Sequence, residues 1–251
     1  MLVTGGEGLV GRAIVGRAAA HGVTVFAPGR AECDVTRDPE PTLARLRPDV
    51  VLFCAAFTDV DRTTAEHEAV NVRAPARWAA VAPTVFLSSN FVLDGPGPHP
   101  PSARRVAGGT YVNQKIEAED RVLASGGRVA RVGWVYGPGG RTFASRLVAR
   151  LRADEPVSAI VDVLVQPTWA PDLADALLRV PNAPISHHIG GEETSWYAVA
   201  LAVQARVGRG RVLPVRLDAL GLSAPRPRDA RLTPAALPGW HTRLEDLVDA
   251  G

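Results

Sequence analysis

The first residues are Met1-Leu-Val-Thr-Gly-Gly-Glu-Gly-Leu-Val-Gly11, and an Ala- and Arg-rich run follows as far as Ala20. The apolar residues predict a short strand at 2–4 and a helix at 9–20. Three evenly spaced glycines lie where the strand meets the helix, namely Gly5, Gly8 and Gly11. Glycines at such a junction allow a tight turn and let a pyrophosphate approach the backbone at the positive end of the helix. The junction therefore predicts a dinucleotide-binding site.

Strands and helices continue to alternate along the chain. The predicted strands are 23–27, 49–55, 84–88, 128–132 and 185–189, and the predicted helices are 38–47, 63–81 (with a kink at Pro75), 110–124 and 172–180. Such alternation favours right-handed βαβ units and an α/β fold with a doubly wound parallel sheet of the Rossmann type. The Gly- and Pro-rich stretch 94–109 is too long for a plain connector, so we expect it to cover a site. We predict a Rossmann domain of residues 1–135 and 165–191 and a smaller substrate-binding lobe of residues 136–164 and 192–251.

The composition excludes several classes of protein. Lys plus Arg number 28 and Asp plus Glu 26, so the net charge of +2 gives no electrostatic case for a nucleic-acid or membrane partner. No apolar run is long enough for a membrane span, and the N-terminal residues lack the pattern of a secretory signal. Cys33 and Cys54, the only cysteines, form no disulfide framework and no four-cysteine zinc site. We expect a cytoplasmic protein without a metal.

Tyr111 and Lys115 form the most informative pair. Lys115 is the only lysine among the 28 basic residues, and Tyr111 precedes it by four positions on the predicted helix 110–124. Residues four apart share one helical face. A cation beside a phenol lowers the pKa of the phenol from its usual value of about 10, which suits a proton donor near neutrality. We therefore expect the ammonium of Lys115 to make Tyr111 acidic.

Two other strand ends add candidate residues. Ser88-Ser89-Asn90 ends the strand before that helix, at the edge where parallel strands face a ligand crevice, so Ser89 is placed to hydrogen-bond a carbonyl. The predicted strand 23–27 is followed by Pro28-Gly29-Arg30, without a carboxylate for the ribose hydroxyls of NAD. Arg30 could instead pair with a 2′-phosphate, which favours NADPH over NADH, although a solvated surface Arg is an equal reading.

Together these residues resemble the extended short-chain dehydrogenase/reductase superfamily and, within it, the dTDP-4-dehydrorhamnose reductase family. The resemblance rests on six further segments: Asp49-Val-Val-Leu-Phe-Cys-Ala-Ala-Phe-Thr-Asp-Val-Asp61, Val70-Asn71, Ser88-Ser-Asn-Phe-Val-Leu-Asp-Gly95, Arg131-Val-Gly-Trp-Val-Tyr-Gly137, Pro167-Thr-Trp-Ala-Pro-Asp-Leu-Ala174 and Ala224-Pro-Arg-Pro227. It implies an NADPH-dependent reductase, with NADH as the alternative, that acts on the 4-keto group of a nucleotide-linked 4-keto-6-deoxysugar.

The resemblance also assigns roles to residues. Tyr111 would protonate the carbonyl oxygen, Ser89 would hold that oxygen, and Lys115 would bind the nicotinamide ribose; these three are the predicted catalytic residues. The predicted cofactor-binding residues are Gly5, Gly8, Leu9, Val10, Gly11, Arg30, Asp34, Val35, Cys54, Ala55, Ala56, Thr58, Asn71, Ser88, Tyr111 and Lys115. The predicted substrate-binding residues are Thr58, Asn90, Phe91 and Trp134.

The chain departs from the family pattern on the substrate side. Phe91 replaces a tyrosine, Arg62-Thr63-Thr64 replaces an Asp-Ala-Glu, and the segment Asp162-Val-Leu-Val-Gln-Pro-Thr168 differs from its family counterpart. The chain is also shorter than the family leads us to expect. A related 4-keto-6-deoxysugar therefore fits better than dTDP-linked rhamnose itself. A non-catalytic NADP-binding regulatory or sensor protein, and a reductase of a carbonyl or imine outside the nucleotide sugars, stay as alternatives.

Other chemistries find no support in the sequence. Ser89-Asn90 lacks the Asp-Glu pair that a dehydratase carries there, no His-Glu-x-x-His spacing occurs, and no Gly-x-Ser-x-Gly elbow occurs. Three tryptophans are expected in the core or at an interface and not at a ligand: Trp169, Trp196 and Trp240. The wider superfamily often dimerises through the helix that carries the tyrosine. A homodimer stays open here, because Glu117, Glu119 and Asp120 predict a polar helix surface.

Overall fold

The computed structural model describes residues 1–62, 64–140 and 142–249. In chain order, its strands are β1 (Leu2–Thr4), β2 (Val51–Phe53), β3 (Thr84–Ser89), β4 (Arg128–Val132), β5 (Val135–Tyr136), β6 (Pro156–Ile160), β7 (Leu164–Val165), β8 (Thr168–Trp169), β9 (Ile185–His188), β10 (Thr194–Ser195) and β11 (Arg211–Val215). The α-helices are α1 (Leu9–Ala18), α2 (Glu40–Leu46), α3 (Ala65–Glu68), α4 (Ala74–Val81), α5 (Thr110–Ala124), α6 (Phe143–Arg152), α7 (Ala170–Leu178), α8 (Trp196–Val207) and α9 (Leu244–Asp249).

The central sheet has five strands in the order β1-β2-β3-β4-β9, all parallel. Successive strand residues face opposite sides, so Leu2 and Val3 enter different cores. The side of Val3 is covered by α1 and α7, and the side of Leu2 by α4 and α5. Strands buried on both faces explain the continuous apolar runs in the sequence.

The predicted strand at 23–27 is not formed as a strand. Only Phe26 pairs, through one parallel bridge to Leu2, with the Phe26 amide donating to the Met1 carbonyl at 3.0 Å and the Val3 amide donating to the Phe26 carbonyl at 2.8 Å. The neighbouring strand β1 has only three residues, so few backbone hydrogen bonds can form between it and the segment 23–27. The segment still lies beside β1 on the side opposite β2. The order in which successive strands are added to the sheet therefore changes direction at β1. A ligand crevice opens at such a switch point.

The predicted helix 63–81 is divided in the structure, and residue 63 lies outside the described residues. A π-helical turn, Ala69–Arg73, separates α3 from α4. The Ala74 amide bonds to the Ala69 carbonyl five residues back, and Pro75, which has no amide hydrogen, follows in the first turn of α4. Pro75 would remove an ordinary bond to Asn71, so the wider turn accommodates it.

A second group of buried apolar side chains lies among α6, α8, α9, β6 and β11. It includes Leu147, Leu151, Val157, Val203 and Val212. These elements belong to the stretches that we assign to the smaller lobe, and the residue boundaries of that lobe stay a prediction. Among the residues that the structure describes, no helix is both long and apolar enough to cross a membrane.

The stretch 94–109 is fastened to the C-terminal part of the chain. The His99 amide donates to the Arg231 carbonyl at 2.7 Å, and the Thr233 amide donates back to the His99 carbonyl at 2.9 Å. The Gly97 amide donates to Asp229 at 2.9 Å. This loop precedes α5 directly, so the C-terminal residues help to fix the start of the helix that carries Tyr111.

Candidate active site

The glycine-rich turn forms one wall of a cleft at the carboxyl ends of β1 and β2. Gly5 has a positive φ of +68°, and a Cβ atom there would lie 2.9 Å from the backbone of Ala55. A Cβ atom at Gly11 would lie 2.3 Å from the Gly5 carbonyl oxygen. Gly8 is the N-cap of α1, so the first amides of the helix, including those of Leu9 and Val10, lie at the turn. No side chain at the N-cap therefore covers the amides to which an anion would bind at the helix N-terminus.

The cleft has a volume of about 290 Å³. Eight of the predicted cofactor-binding residues line it, and they come from four separate stretches of chain: Gly5, Gly8, Arg30, Asp34, Val35, Cys54, Ala55 and Ala56. Sequence reasoning missed seven more lining residues, namely Gly6, Glu7, Pro28, Gly29, Cys33, Phe57 and Val70. All seven lie within two positions of a predicted residue in the chain, which is the signal that could have identified them. Thr58, predicted for both ligands, is exposed.

Two polar side chains at the cleft already have partners. Arg30 is exposed and donates to the Glu66 carboxylate at 2.7 Å. Asp34 accepts from the amide of Thr36 at 3.0 Å and from its hydroxyl at 2.8 Å, and these bonds lower the pKa of Asp34. The Asp34 carboxylate is therefore fixed and charged beside the cleft, whereas Arg30 would have to leave Glu66 to meet a phosphate.

Tyr111 is 7% exposed, and its phenol lies beside the Ser89 hydroxyl, a donor that favours the phenolate. The two residues meet because Ser89 ends β3 and Tyr111 lies in the first turn of α5. Ser89 Oγ also accepts from the Phe91 amide at 3.2 Å, which fixes its position. Burial raises the pKa of Tyr111 to about 12, and the bond from Ser89 acts in the opposite direction. Tyr111 therefore carries its proton at neutral pH.

Lys115 lies one turn further along α5 and is 2% exposed. Its Nζ donates to the Leu87 carbonyl at 3.1 Å and lies 5.9 Å from the centre of the Tyr111 ring. Burial lowers the pKa of Lys115 to about 8. Our expectation that the ammonium makes Tyr111 acidic is wrong for this site, because the removal of the phenol from water outweighs any effect of the cation. The pair therefore places the protonated phenol of Tyr111 close to the positive charge of Lys115.

Three predicted site residues use their side chains elsewhere. The Ser88 hydroxyl donates to Glu119 at 2.6 Å, and the Asn90 amide donates to the Ala230 carbonyl at 3.0 Å. Asn71 is buried, accepts from the Phe57 amide at 2.9 Å and donates to the Phe57 carbonyl at 3.0 Å. Their side chains brace the loops around the cleft.

A half-buried aromatic group surrounds Trp134, a predicted substrate-binding residue. Trp134 follows β4, and its ring centre lies 3.9 Å from that of Trp196 and 5.7 Å from that of Phe143. Trp169 and Trp240 are buried, as expected. Trp196, which we expected in the core or at an interface, packs against Trp134, and both side chains are half-buried. The interaction joins residues more than sixty positions apart, and no local pattern predicts it.

A second long-range contact ties the loop after β2 to the C-terminal segment. Asp61 accepts from the Ser223 hydroxyl and from the Ala224 amide, both at 3.0 Å, and from the Arg226 guanidinium at 2.5 Å. The Arg226 bond is the main cause of a lowered pKa of Asp61. Both segments belong to the motifs that suggested the family, but their pairing could not be read from the sequence.

Comparisons with known proteins agree on one family. A family model described as "RmlD substrate binding domain" matches residues 1–243. A dTDP-4-dehydrorhamnose reductase from Streptomyces griseus is 34% identical, over 90% of this chain and 83% of that protein. A probable dTDP-4,6-dihydroxy-2-methyloxan-3-one 4-ketoreductase from Streptomyces antibioticus is 33% identical, over 90% of this chain and 84% of that protein.

The solved structures agree on the fold. The dTDP-4-dehydrorhamnose reductase of Bacillus anthracis, in complex with NADP, superposes with a TM-score of 0.90 at 20% identity, covering 100% of this chain and 98% of that one. At this identity the match is evidence for the fold alone. It confirms the predicted fold class, an α/β Rossmann-type fold with a central parallel sheet.

Proposed function

Since the chain belongs to the RmlD substrate binding domain family, we propose that it reduces the 4-keto group of a nucleotide-linked 4-keto-6-deoxysugar with NADPH, with Tyr111 as the proton donor. One observation carries the proposal. Ser89, Tyr111 and Lys115 lie together on β3 and α5, with the Tyr111 phenol beside the Ser89 hydroxyl and Lys115 one turn away. A non-catalytic relative would have no need to bury a phenol and the chain's only ammonium side by side.

The predicted family and the predicted class, an NAD(P)H-dependent oxidoreductase, are confirmed by the relatives. The predicted NADP cofactor agrees with the ligand named for the Bacillus anthracis structure. The residues at the cleft also fit such a group, because Gly5 and Gly11 let the turn pack closely on Ala55 and on its own backbone, and Gly8 has no side chain to cover the first amides of α1. Gly5, Gly8 and the first amides of α1 would hold the pyrophosphate, and Asp34 and Arg30 would face the adenosine end.

The chain's own groups account for the proton in the reaction. Bound NADPH supplies a hydride to the carbonyl carbon of the substrate. Ser89 donates a hydrogen bond to the carbonyl oxygen and holds it beside Tyr111. Tyr111 transfers its phenolic proton to that oxygen, which completes the alcohol, and Lys115 stabilises the resulting phenolate by its positive charge. The buried site keeps water away from the reacting atoms.

The substrate class rests on the names of the relatives. Two relatives at 33–34% identity are named for dTDP-linked ketosugars. The apolar Phe91 and the half-buried Trp134–Trp196 pair would contact the deoxysugar ring, whose C6 methyl group is apolar. The family tyrosine has a hydroxyl that can hydrogen-bond to a sugar oxygen, whereas Phe91 has none. We therefore expect the enzyme to select a sugar that does not need this hydrogen bond.

A screen of substrates tests the proposal. Oxidation of NADPH by the purified chain should be measured with dTDP-, UDP- and GDP-linked 4-keto-6-deoxysugars. We expect turnover with at least one, and favour the dTDP-linked sugars because of the named relatives. If the chain binds NADPH but turns over none of the three, the substrate class is wrong, and a sensor role or another carbonyl substrate takes its place.

A single ion pair is expected to tune the choice of cofactor. Replacing Glu66 by Gln frees Arg30 from its exposed partner and removes a negative charge near the site for the 2′-phosphate. Because exposed pairs are worth up to about 1 kcal/mol, we expect the preference for NADPH over NADH to rise by up to about fivefold. Fluorescence titration with both nucleotides measures the ratio.

The control for this experiment lies on the same short helix. Glu68 also pairs with an exposed arginine, Arg73 at 2.6 Å, so Glu68→Gln removes a comparable pair away from Arg30. It should leave the ratio unchanged, whereas Arg30→Ala should lower it. Equal affinities of the natural sequence for NADPH and NADH would remove this role of Arg30.

A further inference from the structure

Glu119 is buried within α5, although the sequence predicted a polar helix surface. Its side chain is 0% exposed, whereas those of Glu117 and Asp120 are 50% and 57% exposed. Glu119 lies one turn after Lys115 and two turns after Tyr111, so the three share one face of the helix. A charged carboxyl is costly to bury, so its surroundings must compensate for the lost water.

Four hydrogen bonds from three parts of the chain saturate the Glu119 carboxylate. Arg131 on β4 donates to both oxygens, at 3.0 Å and 2.8 Å. Ser88 on β3 donates to Oε1 at 2.6 Å, and Arg105 from the stretch 94–109 donates to Oε2 at 3.4 Å. A carboxylate has about four acceptor positions, so these donors, which include two arginines, fix both oxygens of the group.

Stability of the fold is a weak explanation for this arrangement. Buried ion pairs are often replaced by apolar residues without loss of stability. What distinguishes the pair is its place beside Lys115. Among the groups that act on the ammonium, the Cys54 thiol of the neighbouring β2 loop is uncharged at neutral pH, since burial raises its pKa to about 12. Tyr111 is also uncharged there, and the Leu87 carbonyl is neutral.

We propose that Glu119 is a positioning residue of the reductase site: held by Arg131 and Ser88, its carboxylate keeps the buried Lys115 ammonium charged. The inference rests on the proposed function, in which Lys115 acts as a cation. It adds a buried carboxylate, one turn from Lys115 on α5, that the three predicted catalytic residues do not include. His187 on β9 lies near Arg131 and Glu119. It is uncharged at neutral pH, because burial lowers its pKa to about 4.

The charges predict the sign of the effect. Burial lowers the pKa of Lys115 to about 8, and the negative charge of Glu119 is the largest influence that raises it. A neutral residue at position 119 removes that influence, so the ammonium should lose its proton at lower pH. At physiological pH the lysine would then be mostly neutral.

The single lysine of the chain makes this directly measurable. Incorporation of lysine labelled with ¹³C at Cε gives one side-chain NMR signal, whose shift with pH reports the protonation of Lys115. The natural sequence should titrate near pH 8. Glu119→Gln should titrate about one pH unit lower or more, and Glu119→Asp, which keeps the charge, should titrate near the natural sequence. Identical midpoints for Glu119→Gln and the natural sequence would overturn the proposal.

Two further variants guard the result. Glu117→Gln makes the same change two residues away, at an exposed carboxylate paired with Arg121 at 2.7 Å, and should not move the midpoint. Glu119→Gln alone leaves Arg131 buried without a counter-ion and weakens the fold. The double variant Glu119→Gln with Arg131→Met removes both charges and should fold. It also removes the positive charge of Arg131, which disfavours the ammonium, so its midpoint should lie above that of Glu119→Gln and below that of the natural sequence. A midpoint above the natural one would also contradict the proposal.

The titration needs neither a sugar nor turnover. If the substrate screen fails and the titration succeeds, the substrate class is wrong but the role of Glu119 stands. If the reverse occurs, the chain is a reductase of the proposed kind and Glu119 serves only its fold.

Discussion

Replacing Tyr111 by Phe is expected to lower turnover by at least about two orders of magnitude, the usual contribution of a general acid. The variant keeps the buried ring and loses only the hydroxyl beside Ser89. Because burial raises the pKa of Tyr111 to about 12, the phenol carries the proton at every pH suitable for an assay. The loss should therefore be similar from pH 6 to pH 9. Steady-state oxidation of NADPH with the sugar identified in the screen measures it.

Two comparisons show whether the loss is chemical. NADPH affinity, measured by fluorescence titration, should stay within about twofold, because the predicted cofactor contacts of the turn and cleft are unchanged. Tyr197→Phe removes a hydroxyl in the smaller lobe and should retain full turnover. If Tyr111→Phe keeps its turnover while NADPH still binds, another group supplies the proton, and the proposed role of Tyr111 is lost.

The three predicted catalytic residues could be identified from the sequence because their signals are local. Tyr111 and Lys115 are four residues apart, and α5 has the predicted bounds of Thr110–Ala124. Ser89 follows from the rule that parallel strands present their carboxyl ends to a crevice. Each of these inferences needs only a window of about fifteen residues.

The supporting interactions could not be predicted in the same way. Glu119 seemed a surface residue because its partners, Arg131 and Ser88, lie on two other elements. The sign of the pKa shift of Tyr111 was missed for a related reason. The sequence shows the neighbouring cation, but burial by the packed sheet and helix is the larger effect. Local spacing predicts which groups meet, and the environment that sets their charge comes from the tertiary fold.

Replacing Gly11 by Ala is expected to lower NADPH affinity by at least about tenfold. The added Cβ atom would lie 2.3 Å from the Gly5 carbonyl oxygen and 2.6 Å from the Gly6 Cα atom, both of them backbone atoms that no side-chain rotation can move away. The turn must therefore shift, and with it the amides that would face the pyrophosphate. A misplacement of about 1 Å in such a site costs up to a hundredfold. Fluorescence titration of NADPH measures the loss.

The same helix supplies a matched control for this substitution. At Gly16 an added Cβ atom meets nothing within 4 Å, so Gly16→Ala makes the same chemical change without a clash. Alanine favours the helix over glycine by about 1 kcal/mol, so this variant should bind NADPH normally and melt at a slightly higher temperature. Equal NADPH affinities for Gly11→Ala and Gly16→Ala would contradict the placement of the cofactor at this turn. A folded Gly11→Ala protein that fails to bind NADPH would support it, since the predicted catalytic residues on β3 and α5 are untouched.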